Sequence, residues 1–235
     1  MSVWAARRFW TTASAVPVEG GFTVHLDGRP VRTPLKAPLI LPTLALAEAV
    51  AAEWQAQEGT VKPETMPFTR MANSAIDKVQ PQFAAVADLL AEYGGSDLLC
   101  YRAEGPADLV ARQAQSWDPL LDWARQELGA ALRSTTGVMP VAQSEASLAA
   151  LRSLVHAFGP FELAAFHDLV SISGSLVLAL AVARDRISAE EAWTLSRVDE
   201  DWQISLWGED EEAAEVAARK RDALLLADRF LRLCR

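Results

Sequence analysis

Apolar and polar positions alternate over Phe22-Thr23-Val24-His25-Leu26, which predicts a strand with one buried face. Asp27-Gly28-Arg29-Pro30 then supplies turn chemistry, and Val31-Arg32-Thr33 resumes an extended pattern as far as Pro34. Pro38-Leu39-Ile40-Leu41-Pro42 is a short apolar run between prolines, and Gly20-Gly21 marks a turn before the set. These segments predict a small antiparallel sheet of three or four short strands, with prolines kept to edges and strand ends. From Thr43 the period becomes helical. Leu44, Leu46, Ala47, Val50, Ala51 and Trp54 recur at helical spacing up to Gly59. So small a sheet needs a packing partner, and this helix is expected to cover one of its faces.

Beyond it the pattern stays helical. Helices are expected over 67–79, 82–93, 106–128 (interrupted at Asp118-Pro119), 144–158, 161–184, 188–207 and 210–233. Gly94-Gly95, Gly159-Pro160 and Gly208 supply stops, and Ser188-Ala189-Glu190-Glu191 reads as a capping box. The apolar run over 169–183 is shorter than the roughly 20 residues of a membrane span and is closed by charges on both sides, so it is expected at the centre of a helical core. The expected fold class is α+β. A small N-terminal antiparallel sheet packed with helices occupies residues 1–80, followed by a larger all-helical orthogonal bundle over 81–235.

Charge narrows the function classes. The chain has 22 Lys+Arg against 31 Asp+Glu and a net charge of −9, so it has no broad attraction for nucleic-acid phosphates or anionic lipid. Neither nucleic-acid binding nor membrane insertion is expected. Cys100 and Cys234 lie far apart in apolar surroundings, which reads as reduced thiols, Cys100 in the core, in a reducing compartment. The first ten residues show no secretory apolar region with a cleavage site.

Candidate chemistry is sparse. His25, His156 and His167 share no metal-ligand spacing, and there is no Cys-x-x-Cys pair and no glycine-rich phosphate loop. Ser171-Ile172-Ser173-Gly174-Ser175 lies inside a helical pattern and does not match a nucleophile elbow; its small residues suit close helix packing. No catalytic residue, cofactor or metal is assigned. The competing reading is a cofactor-free hydrolase or small-molecule binder with an interdomain pocket, using Asp199, Glu200 or His167.

An acidic tract over 198–218 carries eight Asp and Glu and no Lys or Arg. Residues 209–215 read as a solvated helix N-terminus favoured by the macrodipole. Asp199-Glu200-Asp201 differs, because a helix spreads three successive residues over about 200°. Leu195, Val198, Trp202 and Leu206 form the stripe expected to pack on the domain, with Asp199 at its edge and Asp201 on the polar face. Glu200 instead aligns with Trp193, Ile204 and Trp207. A carboxylate amid two tryptophans and an isoleucine is either an internally paired group in more core or part of a partner surface. The pattern alone leaves both open.

Several segments resemble a known family. They are Arg7-Arg8-Phe9-Trp10, Leu26-Asp27-Gly28-Arg29-Pro30-Val31-Arg32-Thr33-Pro34, Glu53-Trp54-Gln55-Ala56-Gln57, Met66-Pro67-Phe68-Thr69-Arg70 with Ala75-Ile76-Asp77, Ser96-Asp97-Leu98-Leu99-Cys100-Tyr101-Arg102, and Gln115-Ser116-Trp117-Asp118-Pro119. Asp199-Glu200-Asp201-Trp202-Gln203-Ile204 running into Trp207-Gly208 completes the set. Together they resemble the ATP12-type chaperones, which assemble the F1 sector of ATP synthase by handling its alpha subunit.

The resemblance implies a non-enzymatic chaperone, monomeric when free, that binds unassembled alpha and masks its beta-facing surface until beta displaces it. It also implies a functionally important acid in the Asp199-Glu200-Asp201 segment, and helical geometry favours Glu200. Trp193, Ile204 and Trp207 would cover apolar client surface while Glu200 or Asp199 meets a cation. Trp54, though in a family motif, lies on the apolar face of its helix and is expected to act through stability. A bacterial cytoplasmic setting is expected; mitochondrial relatives, in the matrix, would carry a presequence.

Overall fold

In the N-terminal sheet, β1 (Ala13–Val18), β2 (Gly21–Leu26) and β3 (Arg29–Pro30) run antiparallel in that order, with Ala13 opposite Leu26 and Val18 opposite Gly21. The computed structural model describes residues 7–235; the first six, at the head of the stretch inspected for a leader, lie outside the described residues. The alternation read from β2 holds over Val24-His25-Leu26, where Val24 and Leu26 are buried and His25 is half-buried, but not before it: Thr23 is buried and Phe22 only half-buried. The later extended segments contribute only single bridges, Arg32 to Pro38 and Phe22 to Leu41. Pro30, Pro34 and Pro38 lack the N–H groups that a continuous third strand would need.

Ten α-helices follow among the described residues: α1 (Leu44–Gln55), α2 (Pro67–Ser74), α3 (Phe83–Ala91), α4 (Ala107–Glu127), α5 (Glu145–His156), α6 (Pro160–Ser173), α7 (Leu176–Ala183), α8 (Ala189–Ser196), α9 (Val198–Trp207) and α10 (Glu211–Leu233). Two two-residue strands, β4 (Tyr101–Arg102) and β5 (Thr135–Thr136), pair in parallel within the helical region. No helix among the described residues is long and apolar enough to cross a membrane.

The chain clusters into two units. The first runs through Phe83 and takes in Gly159–Ala165 and Arg229–Arg235; the second comprises Ala84–Phe158 and Phe166–Asp228. In the first unit α1 packs on β1 and β2. Several motif residues act there as hydrogen-bond hubs. The Arg8 guanidinium donates to the carbonyls of Trp10, Thr11, Gln55 and Gln57 at 2.6–3.0 Å. Asp27 accepts from the N–H groups of Thr11 and Thr12, each at 2.9 Å. Glu53 caps α2, taking bonds from Phe68 N at 2.7 Å and Thr69 N at 2.8 Å. Trp54 meets Trp10 edge-on with centroids 5.3 Å apart. At the C-terminal segment, Phe230 lies against Phe68 and the Thr43 hydroxyl donates to the carbonyl of Leu233.

Two expected helix boundaries in the second unit shift for identifiable reasons. Pro119 does not interrupt α4. The backbone bond it removes lies on the exposed face, next to Gln115, while Trp117 and Leu120 are buried on either side of it. Conversely, the helix expected over 161–184 is two helices, broken at Gly174, whose φ of 69° is left-handed. Ser175 then caps α7, its hydroxyl accepting from Leu178 N at 3.0 Å. Every residue of α7 is buried, so water cannot satisfy its first N–H groups. Asp97 does so from within. Its Oδ2 accepts from Val177 N at 2.9 Å, and its Oδ1 accepts from the Ser175 hydroxyl at 2.7 Å and Leu99 N at 3.0 Å.

The surface carboxylates set an acid-side dependence. The N–H groups of Thr12 and Thr11 hold Asp27 below its ordinary 3.8, and Arg152 and His156 do the same for Asp88. The Ser188 backbone and hydroxyl hold Glu191 below 4.5. Each carboxyl is lowered in the folded state, so the stability it adds is present above its ordinary value and lost as pH falls through the lower folded value. Urea midpoints should therefore decline below about pH 4, and the decline should be shallower in a combined Asp27→Asn, Asp88→Asn, Glu191→Gln variant.

Candidate functional site

Ser188 and Glu191 form the capping box expected from the sequence. The Ser188 hydroxyl accepts from Glu191 N at 3.1 Å, and the Glu191 carboxylate accepts from Ser188 N at 2.7 Å. The helix it opens is shorter than expected. α8 ends at Ser196, Arg197 leaves helical geometry at φ −118° and ψ 18°, and α9 starts at Val198. Two side chains stabilise the break. The Ser196 hydroxyl donates back to the Trp193 carbonyl at 2.8 Å, and the indole N–H of buried Trp117 donates to the Leu195 carbonyl at 2.8 Å.

This break separates residues that a continuous helix would align. Trp193, on α8, is half-buried with the Arg197 guanidinium 5.1 Å from its ring centre. It does not line the concavity that contains Glu200, Ile204 and Trp207. The three neighbouring acids have different environments. Asp199 faces α4, its Oδ1 accepting from the Gln113 amide at 2.6 Å, and Asp201 lies 3.7 Å from Arg197. Glu200 is exposed and makes no ion pair with any described residue.

The concavity, about 630 Å³, has α9 as one wall and the first turns of α10 as the other. Glu200, Ile204 and Trp207 face Ala213, Val216 and Lys220 across it. Trp207 is 78% exposed, Leu206 57% and Val216 43%, a large apolar exposure for so short a stretch. Leu206, expected against the domain, is thus at the surface. Glu209, Asp210 and Glu212 add to the acidic rim. Asp210 also caps α10 by accepting from Ala213 N at 2.8 Å.

The α10 wall is absent from the sequence reading, which took 209–215 only as a solvated helix start. The spacing of Ala213, Val216, Ala217 and Lys220 does repeat at three and four residues, and is the signal that marks one face. The hydrolase candidates do not converge. His167 pairs with adjacent Asp168 at 3.1 Å, which raises its pKa, and it lines none of this concavity. Among the described residues no group of His, Cys, Asp and Glu is arranged to hold a metal ion.

Gly208 sets the angle between the walls. Its φ of 86° is left-handed, and its ψ of 170° ends α9 abruptly. A Cβ there would meet nothing within 4 Å, so Gly208→Ala is strained by backbone conformation alone. The variant should lose about 1 kcal/mol or more of stability in urea unfolding, with Trp207 emission altered.

Comparison with known proteins gives a consistent picture. A family model described as ATP12 chaperone protein matches residues 7–125. A mitochondrial atp12 protein of Schizosaccharomyces pombe is 25% identical over 224 residues, 89% of this chain and 76% of that protein. The crystal structure of Atp12 from Paracoccus denitrificans is 54% identical, covers 98% of this chain and 99% of its own, and superposes with a TM-score of 0.96. An aspartate-to-lysine mutant of the P. denitrificans protein superposes at 0.97 over the whole of both chains, again at 54% identity.

Proposed function

Because the chain belongs to the ATP12 chaperone family, a family serving ATP synthase assembly, we propose that it binds the unassembled alpha subunit of the F1 sector and masks its beta-facing surface until beta displaces it. The single observation carrying this reading is Glu200, an acid with no ion pair among the described residues, next to the exposed indole of Trp207 and to Ile204. In a folded monomer such a patch is surface left for a partner. Glu200 meets a client cation, and the apolar side chains cover client surface that water would otherwise reach. Asp199 and Asp201 set the field and hold α9 in place, and Trp193 supports the α8 end of the same segment. The protein works as a monomer in the bacterial cytoplasm and does not catalyse a reaction. Reversibility requires moderate affinity, with specificity taken from charge complementarity.

The P. denitrificans mutant is relevant here, since that fold accommodates lysine in place of one aspartate. The test is retention of purified alpha and purified beta by the immobilised chain. Selective retention of alpha is expected; retention of neither, or of both equally, overturns the proposal.

A further inference from the structure

We infer that the whole concavity between α9 and α10 is one client groove, and that its occupant is an amphipathic segment with an apolar anchor flanked by cationic side chains. This rests on the client-binding reading above and adds to it the α10 wall and the chemistry of what lies in it.

The floor of the groove is apolar and comes from both helices: Ile204 and Trp207 from one, Val216 and Ala217 from the other. Its rim is acidic. Glu200, Glu209 and Glu212 make no ion pair with any described residue, whereas Glu190 and Asp88 on the same unit do. Glu190 takes two bonds from Arg221 at 2.5 and 2.9 Å, and Asp88 takes two from Arg152 at 2.8 and 3.0 Å. Of the two cations at the rim, Arg197 already lies over Trp193 and near Asp201, leaving Lys220 against the unpaired acids. An apolar floor inside a negative rim complements an apolar anchor between positive charges.

The same charges exclude other occupants. A second copy docking through this face would bring one acidic rim against another in a self-complementary contact, which like charges oppose. Anionic lipid is repelled for the same reason.

The test uses the full chain and a labelled synthetic 16-residue peptide with leucine at helical i, i+3, i+4 spacing and arginine elsewhere. A second peptide has glutamate in place of every arginine. By fluorescence anisotropy the arginine peptide should bind at least about tenfold tighter than the glutamate peptide, weakening as salt rises from 0.05 to 0.5 M. Lys220→Glu should tighten it about two- to threefold.

Val216→Asp is the decisive variant. It adds negative charge, so a merely electrostatic attraction would strengthen, but loss of the apolar floor should weaken peptide and alpha binding at least about tenfold. Circular dichroism checks that the variant is folded. If Val216→Asp binds both probes as tightly as the wild type or more tightly, the α10 wall is not part of the site, although alpha binding through α9 stands. Equal binding of the two peptides, or a mass that doubles with concentration through this face, also overturns the groove assignment. If wild type fails to retain alpha at all, it is the client reading of the preceding subsection that falls.

Discussion

Replacing Glu200 by lysine should cut retention of the isolated alpha subunit at least about tenfold, with far-UV helicity and thermal unfolding nearly unchanged. The expectation comes from the contrast with its neighbours. Glu200 is exposed and makes no ion pair with a described residue, so a lysine there breaks no salt bridge and costs the fold only the first-turn dipole interaction of α9, roughly 0.5 kcal/mol. At the client surface it places a positive charge where a cation is expected, so attraction becomes repulsion. Asp199→Lys should behave differently. That carboxyl accepts the Gln113 amide and ties α9 to α4, so its loss should lower the unfolding midpoint as well. If Glu200→Lys unfolds the chain, or leaves alpha retention intact, Glu200 is not the contact.

The second large effect is structural. Asp97→Ala should destabilise the helical unit by about 3–5 kcal/mol, read as a fall in urea midpoint with loss of near-UV signal. The alanine leaves the Ser175 hydroxyl and the N–H groups of Leu99 and Val177 without their acceptor in a place that water does not reach. Asp97→Asn keeps one acceptor oxygen but sets an N–H against one of those donors, so it should fall between alanine and wild type.

Burial also gives Asp97 a pH dependence opposite in sign to that of the surface acids. Desolvation pushes its carboxyl above 3.8, against the hydrogen bonds that lower it. A raised folded pKa means that its contribution is complete below the ordinary value and is lost as pH rises through the folded one. The asparagine variant should lack that component. A loss below about 1 kcal/mol in Asp97→Ala would show that the second unit does not depend on this carboxyl.

The fold was legible wherever one local signal dominated. The helical period from Leu44 and the Ser188 capping box each act over a few residues and are found as read, and the alternation in β2 is found over Val24-His25-Leu26. Misreadings fell where a distant partner settles a local choice. Ser173-Gly174-Ser175 reads as small residues within a helix; Gly174 and the Ser175 cap allow a break there, and Asp97, far away in sequence, satisfies the buried N–H groups it exposes. Trp117 and Ser196 likewise end α8 at a place that propensity would leave continuous, which separates Trp193 from the Glu200 stripe.

The proposed client face was half visible. Glu200, Ile204 and Trp207 share one helix and one period, so geometry alone brings them together. Val216 was missed because it belongs to another helix, and the turn at Gly208 that brings it opposite leaves no mark in either helix's periodicity. The motifs of the first unit carry a related lesson. Arg8, Asp27 and Glu53 stand out in sequence because they each satisfy several backbone groups.

The membership of the first unit has a consequence for biosynthesis. Phe230 and Leu233 supply an aromatic neighbour for Phe68 and an acceptor for Thr43, so the sheet and its helices lack part of their interior until residues 229–235 have left the ribosome. At roughly 5–20 residues per second, the delay after Phe83 emerges is on the order of ten seconds. The earliest-made part of the chain is thus among the last to close, and this chaperone would itself pass through an unfinished stage during translation.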